Sequence, residues 1–138
     1  MLGQGLSNAT LLNEWGVSVP ANLKVMGEAT HQETQDALAA CSALVVTSKR
    51  EGLPTLVLEA MTHGKPIVVP EEDGCLEAIG NGEFGFSYRH GDIEQLAATT
   101  MDASVDKTRC KYARQRIAAE YDWRVVARKL DQIYERKN

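Results

Sequence analysis

Two acidic residues, Glu51 and Glu59, flank a short loop and the first turns of a predicted helix. The neighbours of Glu59 are apolar, so its carboxylate must face water, a partner or a ligand, because burying an unpaired charge is costly. Thr55 lies four residues before Glu59 and therefore shares one face of the helix with it. A carboxylate in this place can accept two hydrogen bonds from a diol. On spacing alone, an equally good interpretation makes Glu59 a solvated edge residue and Glu51 an ordinary loop charge.

The loop between these glutamates has features of a phosphate site. Gly52 allows a ligand to approach the backbone closely. Pro54 has no N–H, but the amides of Thr55 and Leu56 have no partner within the first turn and point out of the helix. Together with the helix dipole, they predict a site for a phosphate group or a sugar hydroxyl.

The elements that must position this loop alternate between strands and helices. Strands are predicted at residues 23–26, 43–47, 66–69 and about 85–88, and helices at residues 30–41, 54–63, about 75–79, 93–101, 105–121 and from residue 123 onwards. This alternation predicts an α/β fold, a Rossmann-like parallel sheet with helices on both faces. The loop then lies at the carboxyl end of the second strand, where open parallel sheets bind ligands.

Local signals set the ends of several helices. Thr30 and Glu33 have the spacing of a capping box. Pro54 suits the first position of a helix that Gly64 ends, and Asp92 is placed to cap a later helix. The last helix carries an apolar stripe at residues 126, 130 and 133.

Composition places the chain among globular proteins. Its 138 residues are 43% apolar and 25% charged, which fits a single domain over residues 1–138 that includes a C-terminal helical segment at 105–138. No apolar run is long enough to span a membrane, and the first residues do not resemble a secretory signal. The three cysteines show no paired spacing, which argues against a disulfide framework or a zinc site and predicts a reducing, cytoplasmic setting.

Charge is distributed unevenly along the chain. Residues 1–104 carry 14 acidic and 5 basic residues (net −9), whereas residues 105–138 carry 5 acidic and 10 basic residues (net +5). A basic segment can indicate a nucleic acid or an anionic membrane as partner. We favour solvated faces of two amphipathic helices, because apolar residues recur there at helical spacing and no aromatic residues alternate with the basic ones. We therefore expect no nucleic acid partner and at most peripheral membrane association.

The histidines and tryptophans are weaker candidates for a site. His31, His63 and His90 are far apart in the sequence and form no metal-binding pattern, so surface or helix-capping positions are predicted. Trp15 and Trp123 are predicted to pack in the core or beneath a missing element.

The segment at residues 51–66 resembles the Glu-x7-Glu motif of retaining GT-B glycosyltransferases of the family 4 type. Further similarities follow in the expected order, at Gly3-Gln4-Gly5 and at residues 74–77, 81–85, 90–92 and 121–123. In that order, these segments resemble five elements of the family. They are the turn near the bound sugar donor, the acidic turn after the next strand, a hairpin, the start of the following helix and the element before the terminal helix. The resemblance therefore covers nearly the whole chain.

This resemblance implies that the chain is the C-terminal, donor-binding half of a GT-B fold, in an enzyme that transfers a sugar from a nucleotide-diphosphate sugar with retention of configuration. It implies that Glu51 contacts the donor sugar as the catalytic residue and that Glu59 contacts the ribose. The remaining donor-binding residues would be Gly3, Gly52, Leu53, Thr55 and Leu56. It also implies that no metal and no cofactor is needed, because stabilisation of the departing diphosphate carries the catalysis.

The N-terminus departs from the family pattern. The family's donor half begins with a strand followed by an Arg and a Lys that neutralise the diphosphate, and this stretch and the acceptor-binding domain are absent here. We therefore expect that the first strand–helix unit is missing and that the chain is not active alone. Lys49 and Arg50 lie beside Glu51 and could supply positive charge, although solvated loop positions are the favoured interpretation.

Two alternatives stay open. The chain could be one half of a split glycosyltransferase, with the apolar stripe of the last helix docking a separate acceptor-domain chain. It could instead be a non-enzymatic interaction module that forms homo-oligomers through an exposed sheet edge or apolar face.

Overall fold

Residues 7–14, 16 and 18–135 are the part of the chain that the structure, a computed structural model, describes. The chain divides into two units, residues 1–37 and 38–138. The elements in chain order are α1 (Asn8–Asn13), α2 (His31–Ala40), β1 (Leu44–Val45), α3 (Thr55–Thr62), β2 (Ile67–Pro70), α4 (Asp73–Ala78), a 3₁₀ turn (Gly80–Gly82), β3 (Phe86–Tyr88), α5 (Ile93–Val105), α6 (Thr108–Arg116), a π-helical turn (Ile117–Tyr121) and α7 (Trp123–Glu135).

In the first unit, the strand predicted at residues 23–26 is wrong. These residues form no strand, and only Gly27 makes a single β-bridge. Gly27 has a φ of +68°, a left-handed conformation in which a strand does not continue. Three apolar residues and a lysine were therefore too weak a signal for a strand, because strand formation depends on pairing partners that such a short run does not specify.

The capping box at the start of α2 is confirmed. The Thr30 N–H donates to Glu33 Oε2 at 2.8 Å, and the Glu33 N–H donates to Thr30 Oγ1 at 3.2 Å. The backbone N–H of Thr30, followed by its hydroxyl, holds the pKa of the Glu33 carboxyl below its ordinary value.

In the second unit, three parallel strands form one sheet in the order β1–β2–β3. All four residues of β2 are buried, as its continuous apolar sequence predicts for a central parallel strand. β1 is shorter than the predicted 43–47. The Val46 N–H still donates to the Val68 carbonyl at 2.9 Å, whereas Val45 is exposed, because β1 pairs with a strand on one side only within the described sheet.

Helices cover both faces of this sheet, as predicted. On one face, Ile67 and Val69 of β2 belong to a core cluster that also contains Val57, Ala60 and Met61 of α3 and residues of α4 and α6. On the other face, Val68 belongs to a cluster with Tyr88 of β3 and Ala103 of α5. The alternation of side chains along β2 therefore divides the core between two layers of helices.

The α3 helix has nearly the predicted ends. Pro54 is its N-cap, with ψ of +103°, and not its first helical residue. At the other end, Gly64 has a φ of +63°. Its N–H donates to the Met61 carbonyl at 3.0 Å, and the Lys65 N–H donates to the Ala60 carbonyl at 3.1 Å. These two hydrogen bonds form a Schellman motif, so the prediction that Gly64 ends this helix is confirmed.

The C-terminal helices differ in their bounds from the prediction. The Asp92 carboxylate caps α5 as predicted, accepting from the Gln95 N–H at 2.8 Å. α5 extends to Val105, and the helix predicted at 105–121 begins only at Thr108. The reason is Asp106, whose backbone is extended and whose Oδ1 accepts from the N–H groups of Thr108 and Arg109 at 2.7 and 3.1 Å. It therefore separates two helices.

No residue of α7 is buried. The stripe predicted on this helix is half-buried at Val126 and exposed at Leu130 and Ile133. Trp123 is 76% exposed, so it does not pack in the core, because α7 places it on a solvent-facing side. The other predicted position, beneath a missing element, stays a prediction. Trp15 lies outside the described residues.

Candidate functional site

The predicted site residues lie on the loop between β1 and α3 and on α3 itself. The loop follows the carboxyl end of β1, the location that the sequence predicts. Glu51 is half-buried, whereas Gly52, Leu53 and Thr55 are exposed. Pro54 is buried and its side chain makes no capping hydrogen bond, so it leaves the amides at the start of α3 uncapped by a side chain.

Helix α4 contacts this loop through its backbone. A Cβ atom added to Gly74 would overlap the carbonyl oxygen of Gly52 and would lie 2.5 Å from the carbonyl oxygen of Glu51. Gly74 is itself buried. Because only glycine permits this approach, the residue at position 74 controls where the Glu51–Gly52 peptide can lie.

The backbone turns sharply just before Glu51. Arg50 has a φ of +59°, although it is not a glycine. A left-handed conformation costs such a residue about 1–2 kcal/mol, which the surrounding structure must offset. The loop is therefore held in one particular conformation by its packing and not by the preference of its own residues.

Electrostatics place Glu51 near the start of α4. Burial raises the pKa of the Cys75 thiol above its ordinary value, and the negative charges of Glu51 and Glu72 raise this pKa further. Both carboxylates are therefore close enough to Cys75 to act on its charge. The loops that follow β1 and β2 meet at this point.

Tyr88 links the carboxyl ends of the strands. Its hydroxyl donates to the Val46 carbonyl at 3.1 Å, and its own carbonyl accepts from the Glu71 N–H at 2.8 Å. Burial, followed by the neighbouring Cys75, raises the pKa of the Tyr88 hydroxyl. These hydrogen bonds join the residues that follow β1 and β2 to the last residue of β3.

On α3, Glu59 lies on the face that Thr55 and Thr62 share. Thr55 and Thr62 are exposed and Glu59 is half-buried, whereas Val57 and Ala60 on the opposite side are fully buried. The helix therefore turns the Glu59 carboxylate away from the core, on the same side as its first-turn threonine. This position fits the predicted ribose contact, and that role stays a prediction.

Six of the seven predicted site residues are thus brought onto one continuous surface segment of loop and helix, and Leu56 among them is half-buried against the core. The seventh, Gly3, lies outside the described residues. His63 is the C-cap of α3, as predicted for a capping histidine. Within residues 7–14, 16 and 18–135, no group of three or more His, Cys, Asp or Glu side chains could hold a metal ion.

Two cationic side chains have a structural role that the sequence did not predict. Lys65 Nζ donates to the carbonyls of Ala39 and Cys41 at 2.7 and 3.0 Å, at the end of α2. Arg116 donates to the Ala78 carbonyl at 2.7 Å, at the end of α4, and stacks on the Phe84 ring at 4.8 Å. Each stabilises a helix C-terminus. These carbonyl partners lie 24 to 38 residues away in the sequence, so no local pattern indicates them.

A groove of about 910 Å³ lies elsewhere, at the amino ends of β1 and β2. None of the six predicted donor residues that the structure describes lines it. The predicted site is instead an open surface at the carboxyl ends of the strands.

Among the described helices, none combines the length and the hydrophobicity that a membrane-spanning segment needs.

Comparison with known proteins gives a consistent result. The family model described as glycosyl transferases group 1 matches residues 1–123. The chain is 32% identical over 115 residues to a glycogen synthase of Mycobacterium tuberculosis, covering 80% of this chain and 28% of that protein. It is also 32% identical over 99 residues to N,N'-diacetylbacillosaminyl-diphospho-undecaprenol alpha-1,3-N-acetylgalactosaminyltransferase of Campylobacter jejuni, covering 70% of this chain and 26% of that protein.

Solved structures show the same fold. Sucrose-phosphate synthase from Thermosynechococcus elongatus matches with a TM-score of 0.75 at 23% identity, over 91% of this chain and 32% of that one. The chain spans less than a third of the length of these relatives.

Proposed function

The chain belongs to the glycosyl transferases group 1 family, and from this membership we propose that it carries the donor site of a retaining glycosyltransferase. The donor is a nucleotide-diphosphate sugar. One relative is named a glycogen synthase and another an N-acetylgalactosaminyltransferase, and both names support sugar transfer as the general reaction. The observation that carries the proposal is the backbone contact between Gly74 and the Glu51–Gly52 peptide, beside the start of α3.

In the proposed complex, the diphosphate lies against the amides of Thr55 and Leu56 at the start of α3. These amides would donate hydrogen bonds to the bound anion, because the N-cap residue Pro54 has no side-chain acceptor that could take them. Glu59, on the solvent side of the same helix, binds the ribose hydroxyls. Glu51, fixed by the contact with α4, binds hydroxyls of the sugar to be transferred.

The proposed reaction breaks the bond between the sugar and the diphosphate while the acceptor oxygen forms a bond to the same sugar carbon. Negative charge then grows on the departing diphosphate. Amides that are already oriented stabilise this charge without reorganisation, and no metal ion is required in this scheme. We propose that the acceptor site lies outside this chain, on a separate domain or a partner chain, and that the chain alone binds the donor without completing the transfer.

Calorimetric titration with a panel of nucleotide-diphosphate sugars and free nucleoside diphosphates tests this proposal. We expect Glu59→Gln to weaken binding of both ligand types by about tenfold or more, because a hydrogen bond to a charged group contributes roughly 1.5–3 kcal/mol. Glu51→Gln should weaken binding of the sugar nucleotide and leave the free diphosphate unaffected. Glu94→Gln, an exposed carboxylate on α5, is the matched control. A folded chain that binds none of these ligands at millimolar concentration contradicts the proposal.

The exposed α7 supports a second candidate, an interaction module or one half of a split enzyme. Leu130, Ile133 and Tyr134 are 43%, 54% and 70% exposed on one helix. If this stripe mediates association, light scattering should show a mass above that of one chain, and Leu130→Glu with Ile133→Glu should restore the mass of the monomer. A monomer at high concentration contradicts self-association, and purification from native cells without an acceptor-domain chain contradicts the split enzyme.

A further inference from the structure

The groove at the amino ends of β1 and β2, called here the amino-end groove, has walls from separate parts of the chain. Cys41 and Ser42 before β1 form one part, and His63 to Pro66 before β2 form another. The facing wall is one side of α6 and the link that precedes it. The amino-end groove has a volume of about 910 Å³, large enough for a small-molecule ligand.

Basic side chains dominate the lining of the amino-end groove. Lys65, Lys107, Lys111 and Arg114 line it, and among the described lining residues Asp106 supplies the only carboxylate. Both oxygens of this carboxylate already have partners. Its Oδ1 accepts from two N–H groups at the start of α6, and its Oδ2 pairs with Arg109 at 3.4 Å. It therefore does little to neutralise the cations of the groove.

The cations of α6 and of Lys107, the residue before it, differ in their partners. Arg109 and Arg116 do not line the groove: Arg109 pairs with Asp106 and stacks on the Phe86 ring at 4.0 Å, and Arg116 pairs with Glu120 at 3.0 Å. The three cations on the groove side, at positions 107, 111 and 114, make no side-chain hydrogen bond or ion pair with any described residue. Positive charge without a partner among the described residues therefore lies along one side of α6 and the residue before it, where exposed side chains line the amino-end groove.

The spacing of these three cations indicates the kind of ligand. Positions 107, 111 and 114 follow one helix face and extend over roughly 10 Å at 1.5 Å per residue. Like charges at this spacing repel one another, so an anion with several charges along its length would relieve the repulsion. Lys65 adds a fixed charge on the opposite wall, because two of its three donors are held by the carbonyls of Ala39 and Cys41.

We propose that the amino-end groove is a second binding site, for an oligophosphate anion. It is separate from the donor site, since it lies at the opposite ends of the strands and shares no residue with the loop that carries Glu51. Lys107, Lys111 and Arg114 bind successive phosphate groups, and the Ser42 and Gln115 side chains, which also line the groove, supply neutral donors. The inference does not depend on the proposed function.

Inorganic tripolyphosphate is the probe that tests this site. We expect its titration into the ¹⁵N-labelled chain at physiological ionic strength to shift the amide resonances of residues 63–65 and 104–118. The groove variant, Lys107→Gln with Lys111→Gln and Arg114→Gln, lacks the three charges that contact the anion. Its affinity for the probe should therefore be lower by roughly tenfold or more, which corresponds to about 1.4 kcal/mol or more. Its affinity for a nucleotide sugar should be unchanged.

A control variant removes the same charge elsewhere, with Arg124→Gln, Arg128→Gln and Lys129→Gln on the exposed α7. It should bind tripolyphosphate like the wild type. Equal losses in the groove and control variants would show that only net charge matters and would overturn the proposal. So would the absence of binding to the wild type, or shifts confined to residues 51–56, which would assign the probe to the donor loop.

Discussion

At the scale of single residues, Gly74 is the position on which the geometry of the candidate site depends most. Its missing side chain lets the start of α4 touch the carbonyl oxygens of Glu51 and Gly52. Arg50 adopts a left-handed conformation in the same loop, at a cost of about 1–2 kcal/mol, so the loop needs an external contact to hold it. Gly74 provides this contact from another element.

Gly74→Ala should displace the Glu51 loop and weaken nucleotide-sugar binding. The added Cβ would meet backbone atoms, which cannot rotate away as a side chain can. We expect a loss of roughly tenfold or more in affinity, measured by calorimetry, because a shift of the loop removes contacts of about 1.4 kcal/mol or more.

Gly64→Ala is the control for this prediction. Gly64 has a φ of +63° but open space around it, so alanine there should lower the free energy of unfolding by roughly 1 kcal/mol without changing affinity. If Gly74→Ala retained full affinity, the loop would not depend on this contact.

At the scale of elements, α3 joins the candidate site to the core. One side of this helix carries Thr55 and Glu59, and the other side buries Val57, Ala60 and Met61 completely. The buried side fixes the rotation of the helix and hence the direction in which Glu59 points. Packing against the sheet and positioning of the site are therefore two results of one amphipathic pattern.

Met61→Ala should be strongly destabilising, because it leaves a cavity beneath the sheet. Met61 is 0% exposed and belongs to the main core cluster. Substitutions of this kind cost about 2–5 kcal/mol, which is a large part of the stability of an ordinary domain. The measurement is urea unfolding followed by circular dichroism.

Thr62→Ala, at the next and exposed position of the same helix, provides the comparison. It should change the free energy of unfolding by less than about 1 kcal/mol. If Met61→Ala and Thr62→Ala lowered the free energy of unfolding by similar amounts, Met61 would not be packed in the core.

At the scale of the whole molecule, the described part of the chain buries three weakly acidic side chains, those of Cys75, Cys110 and Tyr88. Burial raises the pKa of both thiols and of the Tyr88 hydroxyl above their ordinary values. They lie in both layers of the core, since Cys75 belongs to one cluster and Tyr88 to the other. The folded chain as a whole therefore holds these protons more tightly than the unfolded chain does.

Stability should consequently fall in alkaline solution. Above pH 9 the unfolded chain loses thiol protons that the folded chain keeps, and above pH 10 the same holds for the Tyr88 hydroxyl. The free energy of unfolding then decreases as pH rises, whereas below these values the contribution of the three groups is fully present. Urea unfolding at a series of pH values measures this slope. Cys75→Ala with Cys110→Ala should make the slope shallower, and an unchanged slope would rule out the thiols as its source.

Much of the local structure could be predicted from residues close in the sequence. The capping box of Thr30 and Glu33, the stop at Gly64 and the cap at Asp92 all depend on hydrogen bonds within a turn or two of helix, and all are confirmed. The strand predicted at residues 23–26 failed, because a strand needs a partner that lies elsewhere in the chain.

The family, the alternation of strands and helices and the segment that carries the candidate site could all be predicted from the sequence, because they follow from the order and spacing of neighbouring residues. Other features became apparent only in the folded chain: the contact of Gly74 with the loop of Glu51, the hydrogen bonds of Arg116 and Lys65 to helix ends, and the groove that Lys111 and Arg114 of α6 line. These contacts join residues from separate elements. The path of the folded chain brings them together, and no short-range pattern specifies that path.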